Sequence, residues 1–400
     1  MNLISNRLAR FQPSLTVKIT QKAREMIKDG IEVISLSSGE PDFDTPDHIK
    51  NFAIKAIKDG HTKYTQVDGT DDLKNVIIQK FMVENNLNFE KKNITVGVGG
   101  KHVIYNLFMS SVENGDEVII PSPYWVSYPD IVNLCNGIPK IVETSFDNGF
   151  KISPEDLEKN ITPKTKWFII NSPGNPTGSV YTIEELKKIS EVLRQNKQIL
   201  ILSDDIYEHI LYENTRFANI LNVSPDLIDR TFIVNGVSKV FSMTGWRIGY
   251  GAGNEELIKS ISKIQSQCTT NPCSISQMAA MYALKNEKGF LKDWLKKFEE
   301  RKNYLVNFFQ TIDGFEPFIP KGAFYLYVSC EGFIGKHYKN NILIENDFDF
   351  ADFLLNEARV AVVPGVAFGK SPFFRLSYAT SLEELKKACN QIEKSLKSIF

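Results

Sequence analysis

The sequence predicts an α/β protein of two domains, and three observations carry that reading. Short apolar runs of strand character alternate with helix-length amphipathic segments through the first two thirds of the chain, as where I-L-I-L-S follows the helix pattern of 182–196. Beyond a charged segment at 290–312 the texture changes, and P-K-G-A-F-Y-L-Y-V opens alternating strands with helix patterns at 348–358 and 382–398. The 400 residues also exceed what one average core organises, so the tail is expected to form a smaller α+β domain.

Composition excludes several classes of function. Lys plus Arg number 47 against 48 Asp plus Glu, so no net field draws the protein to nucleic acid or anionic lipid. Cysteines 135, 268, 273, 330 and 389 form no C-x-x-C pair and the histidines no H-E-x-x-H, which argues against a disulfide framework or a zinc site. No run reaches membrane-spanning length, and Asn6, Arg7 and Arg10 interrupt any leader-like apolar stretch. The protein is therefore expected to be soluble, cytoplasmic and free of metal.

Residues 1–20 read as an extended arm, followed by a helix from Thr20 to Asp29 closed by Gly30. The segment 33–46, V-I-S-L-S-S-G-E-P-D-F-D-T-P, is a short strand entering a Gly/Pro-rich loop, where Gly39 invites close backbone approach. Helices are expected within 47–92, around K-Y-T (63–65) and a turn at Asp68-Gly69.

A strand at 94–98 then meets Gly99 and Gly100 and continues into a helix pattern, a geometry that presents free amides to a phosphate. It is not a nucleotide motif. A P-loop would need glycine where Thr95 stands and Ser or Thr where His102 stands, and a dinucleotide fingerprint would need glycine at 102.

The strand at 116–120 ends in P-S-P-Y-W-V-S-Y-P, at the sheet edge where open α/β proteins keep ligands. Trp125 could stack on a flat ring there, whereas Tyr124 and Tyr128 read as packing residues. T-K-W-F-I-I ends in N-S-P-G-N-P-T-G (171–178), in which Asn175 offers a fixed amide donor. Thr182 and Glu185 form a capping-box pattern, and the strand after that helix ends in Asp204 and Asp205. Alternation sends the two carboxylates to opposite sides, so at most one faces a shared site, with Tyr207 beyond it as a phenol donor.

The chemistry converges on V-N-G-V-S-K-V-F-S-M-T-G-W-R-I-G-Y-G, residues 234–251. Lys239 sits among small and apolar neighbours, and desolvation of its ammonium form would favour the nucleophilic amine. Arg247, flanked by Trp246 and Ile248 with glycines close by, supplies a fixed cation. A lysine for an aldehyde and an arginine for a phosphate suggest pyridoxal phosphate; the plain alternatives are a solvated lysine and a salt-bridged arginine. In F-F-R-L-S-Y, Phe374, Leu376 and Tyr378 share one face and Arg375 the other, either in solvent or as a bidentate carboxylate clamp.

Taken in order, G-E-P-D-F-D-T-P, K-Y-T, G-G-K, P-Y-W-V-S-Y-P, N-S-P-G-N-P-T-G, S-D-D-I-Y-E-H, S-K with S-M-T-G-W-R-I-G-Y, and F-R-L-S-Y-A-T-S resemble the class I and II aminotransferases. These are fold-type I pyridoxal 5'-phosphate enzymes, and the likeness is closest to the bacterial aspartate aminotransferase branch with its aspartate/prephenate members. The resemblance implies a large domain with a mostly parallel central sheet flanked by helices (47–285), a small C-terminal domain (286–400), and an arm that joins part of the small domain (1–46).

It further implies that Lys239 is the Schiff-base lysine, that Asp204 meets the pyridine nitrogen, and that Tyr207 and Asn175 contact the phenolic oxygen. Arg247 and the amides of Gly99, Gly100 and Lys101 would hold the phosphate, joined by Tyr64 of a partner subunit in a homodimer. Trp125 would stack on the ring, and Gly39 and Arg375 would receive the substrate α-carboxylate. The implied reaction is ping-pong transamination between L-aspartate and 2-oxoglutarate, with prephenate or aromatic donors as the alternative.

For the second carboxylate, Lys101 is the candidate cation, with Ser14 and Thr16 nearby. Where relatives with prephenate activity tend to carry a basic residue before P-S, this chain has Gln12, which leans toward aspartate. Competing readings are a lyase on the same fold, disfavoured by Arg375, and a non-enzymatic binding module, disfavoured by Lys239.

Overall fold

A computed structural model of the protein describes residues 3–10, 15–339 and 341–400. The chain enters through a short 3-10 turn at Asn6–Arg10 and a helix at Leu15–Lys28, so the expected extended arm is helical from Leu15 onward. The β-branched run there favours extended chain locally. Burial of Ile19 and Ala23 at i,i+4 against the C-terminal core overrides that preference. The two-residue strand β1 (Ile34–Ser35) then leads into the 36–46 loop.

Seven strands follow in one sheet: β2 (Ile94–Gly97), β3 (Glu117–Ser122), β4 (Ile138–Glu143), β5 (Thr165–Asn171), β6 (Leu200–Asp204), β7 (Thr231–Gly236) and β8 (Gly249–Ala252). Their spatial order is β2-β8-β7-β6-β5-β3-β4; β7 through β4 run parallel, and β8 is antiparallel to both its neighbours. Strands buried on both faces need continuous apolar runs, which β5, β6 and β7 carry at 167–170, 200–202 and 232–234. Trp167, Ile169, Leu202, Phe232 and Val234 pack toward the helices Gly100–Ser111, Ser127–Leu134 and Glu255–Ser266. Phe168, Ile170, Ile201 and Ile233 pack toward Asp71–Asn85, Ile183–Gln195 and Ser274–Lys285. The capping box at Thr182 is formed as the sequence predicts, with Glu185 N–H donating to the Thr182 hydroxyl at 3.3 Å and Thr182 N–H to the Glu185 carboxylate at 2.8 Å.

The last third builds a second core around the long helix Leu291–Gln310. Its strands are β9 (Glu316–Phe318), β10 (Tyr325–Ser329), β11 (His337–Tyr338), β12 (Ile342–Leu343), β13 (Val360–Ala361), β14 (Val363–Pro364) and β15 (Phe373–Ser377). Four of them form the sheet β14-β15-β10-β9, and β13 pairs in parallel with β1, tying the start of the chain to this core. The helix pattern at 348–358 is realised as Asp347–Phe353 followed by a wider π turn, Leu354–Ala358.

The 36–46 loop lies between the two cores. Arg301 grips Asp42 through both carboxylate oxygens at 2.9 and 2.8 Å, and Phe43 stacks on Trp294 at 4.5 Å. On the other side, the Thr45 hydroxyl donates to the Ser242 carbonyl at 2.6 Å and accepts from the Trp246 indole at 3.0 Å.

Candidate active site

The parallel register sets Asn171, Asp204 and Val234 level with one another at the carboxyl ends of β5, β6 and β7. A cavity of about 470 Å³ opens above this row, closed on its far side by β10 and β15. It is the crevice that open α/β sheets provide.

Lys239 reaches this cavity from the turn after β7. Its ammonium donates to the Gly39 carbonyl at 2.5 Å and lies 5.8 Å from the Tyr207 ring centroid. Burial, helped by the positive charges of Arg375 and Arg247 and opposed by Glu40 and Asp204, pulls its pKa down to about 8. The solvated-lysine alternative is thereby set aside.

Asp204, only 5% exposed, ends β6. The Tyr128 hydroxyl donates to one carboxylate oxygen at 2.6 Å and the Ile206 amide to the other at 3.3 Å. Burial nonetheless pushes its pKa up to about 6, with those hydrogen bonds and Lys239 working against the rise. Asp205 turns away, accepting from the Ser203 hydroxyl at 2.7 Å and from the Asn219 amide.

One end of the cavity is built for an anion. Gly99 adopts φ +82 and precedes the helix Gly100–Ser111, whose first-turn amides have no carbonyl of their own helix to bind. A Cβ on Gly99 would sit 2.3 Å from the Arg247 guanidinium, so glycine is what lets that cation close over the helix start. Arg247 itself holds φ +56 and donates to the Thr244 carbonyl at 2.8 Å. A Cβ on Gly249 would strike the Gly100 amide at 2.2 Å, so β8 can abut the same turn only as glycine.

The other end holds Arg375. One guanidinium nitrogen donates to the Asn175 side-chain oxygen at 3.0 Å and another to the Ser37 carbonyl at 2.7 Å, while the buried Nε has no partner among the described residues. The Tyr325 and Phe368 rings flank it at 4.4 and 5.0 Å. Lys101 also lines the cavity, 5.1 Å from the Trp125 ring centroid, its pKa lowered by burial and by Arg247. Among the described residues, none of Lys101, Lys239, Arg247 and Arg375 is ion-paired to a carboxylate.

Ten of the residues singled out in the sequence line this one cavity: Gly39, Gly100, Lys101, Trp125, Asn175, Asp204, Tyr207, Lys239, Arg247 and Arg375. Gly99 lies just behind them. Its amide already donates to the Gly97 carbonyl at 2.8 Å, so of the three amides expected at the phosphate only those of Gly100 and Lys101 remain, and the part left to Gly99 is steric. Tyr64 lies outside the cavity of its own chain and is 88% exposed. Ser14 and Gln12 fall outside the described residues, as does the side chain of Thr16.

Tyr128 is the one residue of the aromatic loop whose reading needs correction. It is a packing residue, as expected, but its hydroxyl is also the direct partner of Asp204. The sequence places Tyr325 only within a strand. Its hydroxyl lies 2.7 Å from that of Tyr207, and its ring lies under Arg375 because β10 pairs with β15 in a register that makes the two diagonal neighbours. Nothing local in the sequence announces that register.

A family model described as Aminotransferase class I and II matches residues 31–392. A Rickettsia conorii protein named "Probable aspartate/prephenate aminotransferase" is 53% identical over 396 residues, covering 99% of each chain. The crystal structure of the aspartate aminotransferase from Rhizobium meliloti matches with a TM-score of 0.97 at 45% identity, covering 100% of both chains. That of the Thermus thermophilus aspartate aminotransferase with maleate matches with a TM-score of 0.92 at 38% identity, covering 99% of this chain and 100% of the other.

Proposed function

The chain belongs to the class I and II aminotransferases, and from that premise we propose that it uses pyridoxal 5'-phosphate on Lys239 to move the amino group of L-aspartate to 2-oxoglutarate, yielding oxaloacetate and L-glutamate. The observation that carries this reading is the set of four cations without carboxylate partners around one buried aspartate. Of the four, Arg375 is buried, and its unpaired charge is costly unless a carboxylate completes it, while the exposed Arg247 beside the helix start suits a phosphate.

Arg247 and the Gly100 and Lys101 amides would hold the phosphate, as a fixed cation and a helix N-terminus suit it. Asp204 would keep a proton on the pyridine nitrogen, and Trp125 would cover the ring. Tyr207 and the Asn175 amide nitrogen, left free because Arg375 engages the amide oxygen, would donate to the phenolic oxygen. When bound, the cofactor supplies an electron sink for the pair left behind as the substrate Cα proton departs. Arg375, with its unpartnered Nε, would seat the α-carboxylate beside Gly39. The Lys239 amine, its pKa lowered to about 8 by burial, would accept the Cα proton and deliver it to the cofactor's C4′ carbon. Lys101 would meet the distal carboxylate of a dicarboxylic substrate.

We place the working unit in a homodimer, with Tyr64 reaching the phosphate of the neighbouring subunit, and in the cytoplasm, where five free cysteines are at home. Residues 47–285 and 286–400 are proposed as its large and small domains, with 1–46 as the arm. The relatives' names favour one second reading, in which prephenate is also an acceptor.

The test is the visible spectrum of the protein loaded with pyridoxal phosphate. L-aspartate is expected to bleach the band and 2-oxoglutarate to restore it. A band that aspartate bleaches and that prephenate restores as well as 2-oxoglutarate would establish the second reading, and a band that aspartate leaves untouched would overturn the aspartate assignment. No band after loading would overturn the whole proposal.

A further inference from the structure

The hydroxyls of Tyr207 and Tyr325 lie 2.7 Å apart, both buried, and each carries a single proton. Among the described residues, neither hydroxyl has another hydrogen-bond partner. Only one of the two can donate across the contact, and the other must direct its proton elsewhere. Both residues line the cavity. If Tyr207 donated, its proton would be spent on Tyr325; if Tyr325 donates, the Tyr207 proton is left for the cavity.

The surrounding charge favours the second arrangement. The Arg375 guanidinium lies over the Tyr325 ring at 4.4 Å and makes that phenol the more acidic of the two. The better acid is the donor. Tyr207, against the Tyr325 oxygen and Asp204, is held well above the usual phenol range, with burial as the main cause.

We propose that Tyr325 is a positioning residue whose hydroxyl donates to Tyr207, aims the Tyr207 proton into the cavity and strengthens it as a donor, and that Arg375 polarises this relay through the Tyr325 ring. The inference rests on the reading above, in which Tyr207 meets the phenolic oxygen of the cofactor. Donors in series reinforce one another, so the residue that clamps the substrate carboxylate is linked to the electronics of the ring through two phenols.

The test is a pH titration of the visible band in pyridoxal-phosphate-loaded protein, unsubstituted and as Tyr325→Phe and Tyr207→Phe. A stronger donor to the phenolic oxygen stabilises the deprotonated, more anionic state of the loaded site, so losing it raises the pH midpoint. Arg375 from β15, Asp204 at the end of β6, Tyr128 from its helix and Lys239 after β7 face the hydroxyl pair, and none of them is altered by the substitutions.

Tyr325→Phe keeps the ring under Arg375. It is expected to raise the midpoint by about half a unit to one unit, less than Tyr207→Phe does, and to lower kcat a few-fold while KM for aspartate changes less than about twofold. A midpoint moved by Tyr207→Phe but not by Tyr325→Phe would overturn the inference and leave the proposed function standing. Failure of the unsubstituted protein to form a band would remove the reading beneath it. The affinity for maleate gives a second readout: loss of more than about tenfold in Tyr325→Phe would assign Tyr325 to the carboxylate clamp and overturn the relay. Should Tyr325→Phe fail to fold, Tyr325→Leu is read against the same midpoint.

Discussion

Lys239 and Asp204 are cavity charges of opposite sign whose ordinary protonation is disturbed by burial, each partly offsetting the other's shift. The folded-state pKa of Lys239, about 8, lies below its ordinary 10.5, so the buried ammonium costs stability below pH 8 and that cost is gone above about 10.5. The pKa of Asp204, about 6, lies above its ordinary 3.8, so its cost is absent below about pH 4 and complete above 6. Between pH 6 and 8 the unloaded protein carries both, at about 3 kcal/mol each. Lys239→Met is therefore expected to stabilise the unloaded protein at pH 7 by about 1–3 kcal/mol in urea unfolding, with the gain fading by pH 10, while transamination drops about 10³-fold or more. Equal stability of the two proteins at pH 7 would show that the ammonium is not strained.

That strained lysine was legible in the sequence because its small, apolar neighbours are adjacent in the chain. Tyr128 and Tyr325 were not legible as site residues. Each touches the site through a fold-level contact, one across the helix Ser127–Leu134 to β6 and one across the β10–β15 register.

Among the elements, the helix Asp71–Asn85 shows how a scaffold is bound to the site's rear. Its Lys80 is buried in an ion pair with Glu208, and Asn85 donates to the same carboxylate at 2.7 Å. Asn235, at the end of β7, donates to Glu208 as well, at 2.7 Å. One carboxylate thus joins a helix, the loop carrying Tyr207 and the strand leading to Lys239. Glu208 also belongs to a group with Glu84 and His209 whose spacing suits a cation, but Lys80 and Lys288 already supply positive charge there.

Removing one partner of such a pair strands the other, so Glu208→Gln is expected to lower unfolding stability by about 3 kcal/mol. The double replacement Lys80→Met with Glu208→Leu should recover much of that loss. If Glu208→Gln is as stable as the parent, the network does not hold these elements together. This tie was invisible in the sequence, where Lys80 and Glu208 lie 128 positions apart and each reads as a solvated charge. The capping box at Thr182 was legible because its partners lie three residues apart.

At the scale of the whole molecule, the alternation of strand and helix announced the α/β sheet, and the change of texture after 312 announced the second core. What alternation could not announce was the long-range pairing: β8 antiparallel inside an otherwise parallel run, or β1 joined to β13 across most of the chain. Among the described residues Tyr64 is the most exposed of the large apolar side chains, an aromatic ring left in solvent by its own chain. The proposed sharing of sites between subunits would account for it and is open to a complementation experiment. Chains carrying Lys239→Ala and Tyr64→Ala, each impaired alone, are expected to regain activity when unfolded and refolded together. The mixed dimer then holds one site with both residues intact. No recovery, or a monomer with full activity, would refute a shared site.

At the first turn of the helix Gly100–Ser111, the proposed part of residue 101 divides between its amide, offered to the phosphate, and its side chain, which lies over Trp125. Any residue other than proline presents the same amide, so the proposed phosphate contact would be indifferent to which amino acid is encoded there. A single codon could then be retuned, by chance or by design, to welcome a different substrate tail while the grip on the cofactor is inherited unchanged.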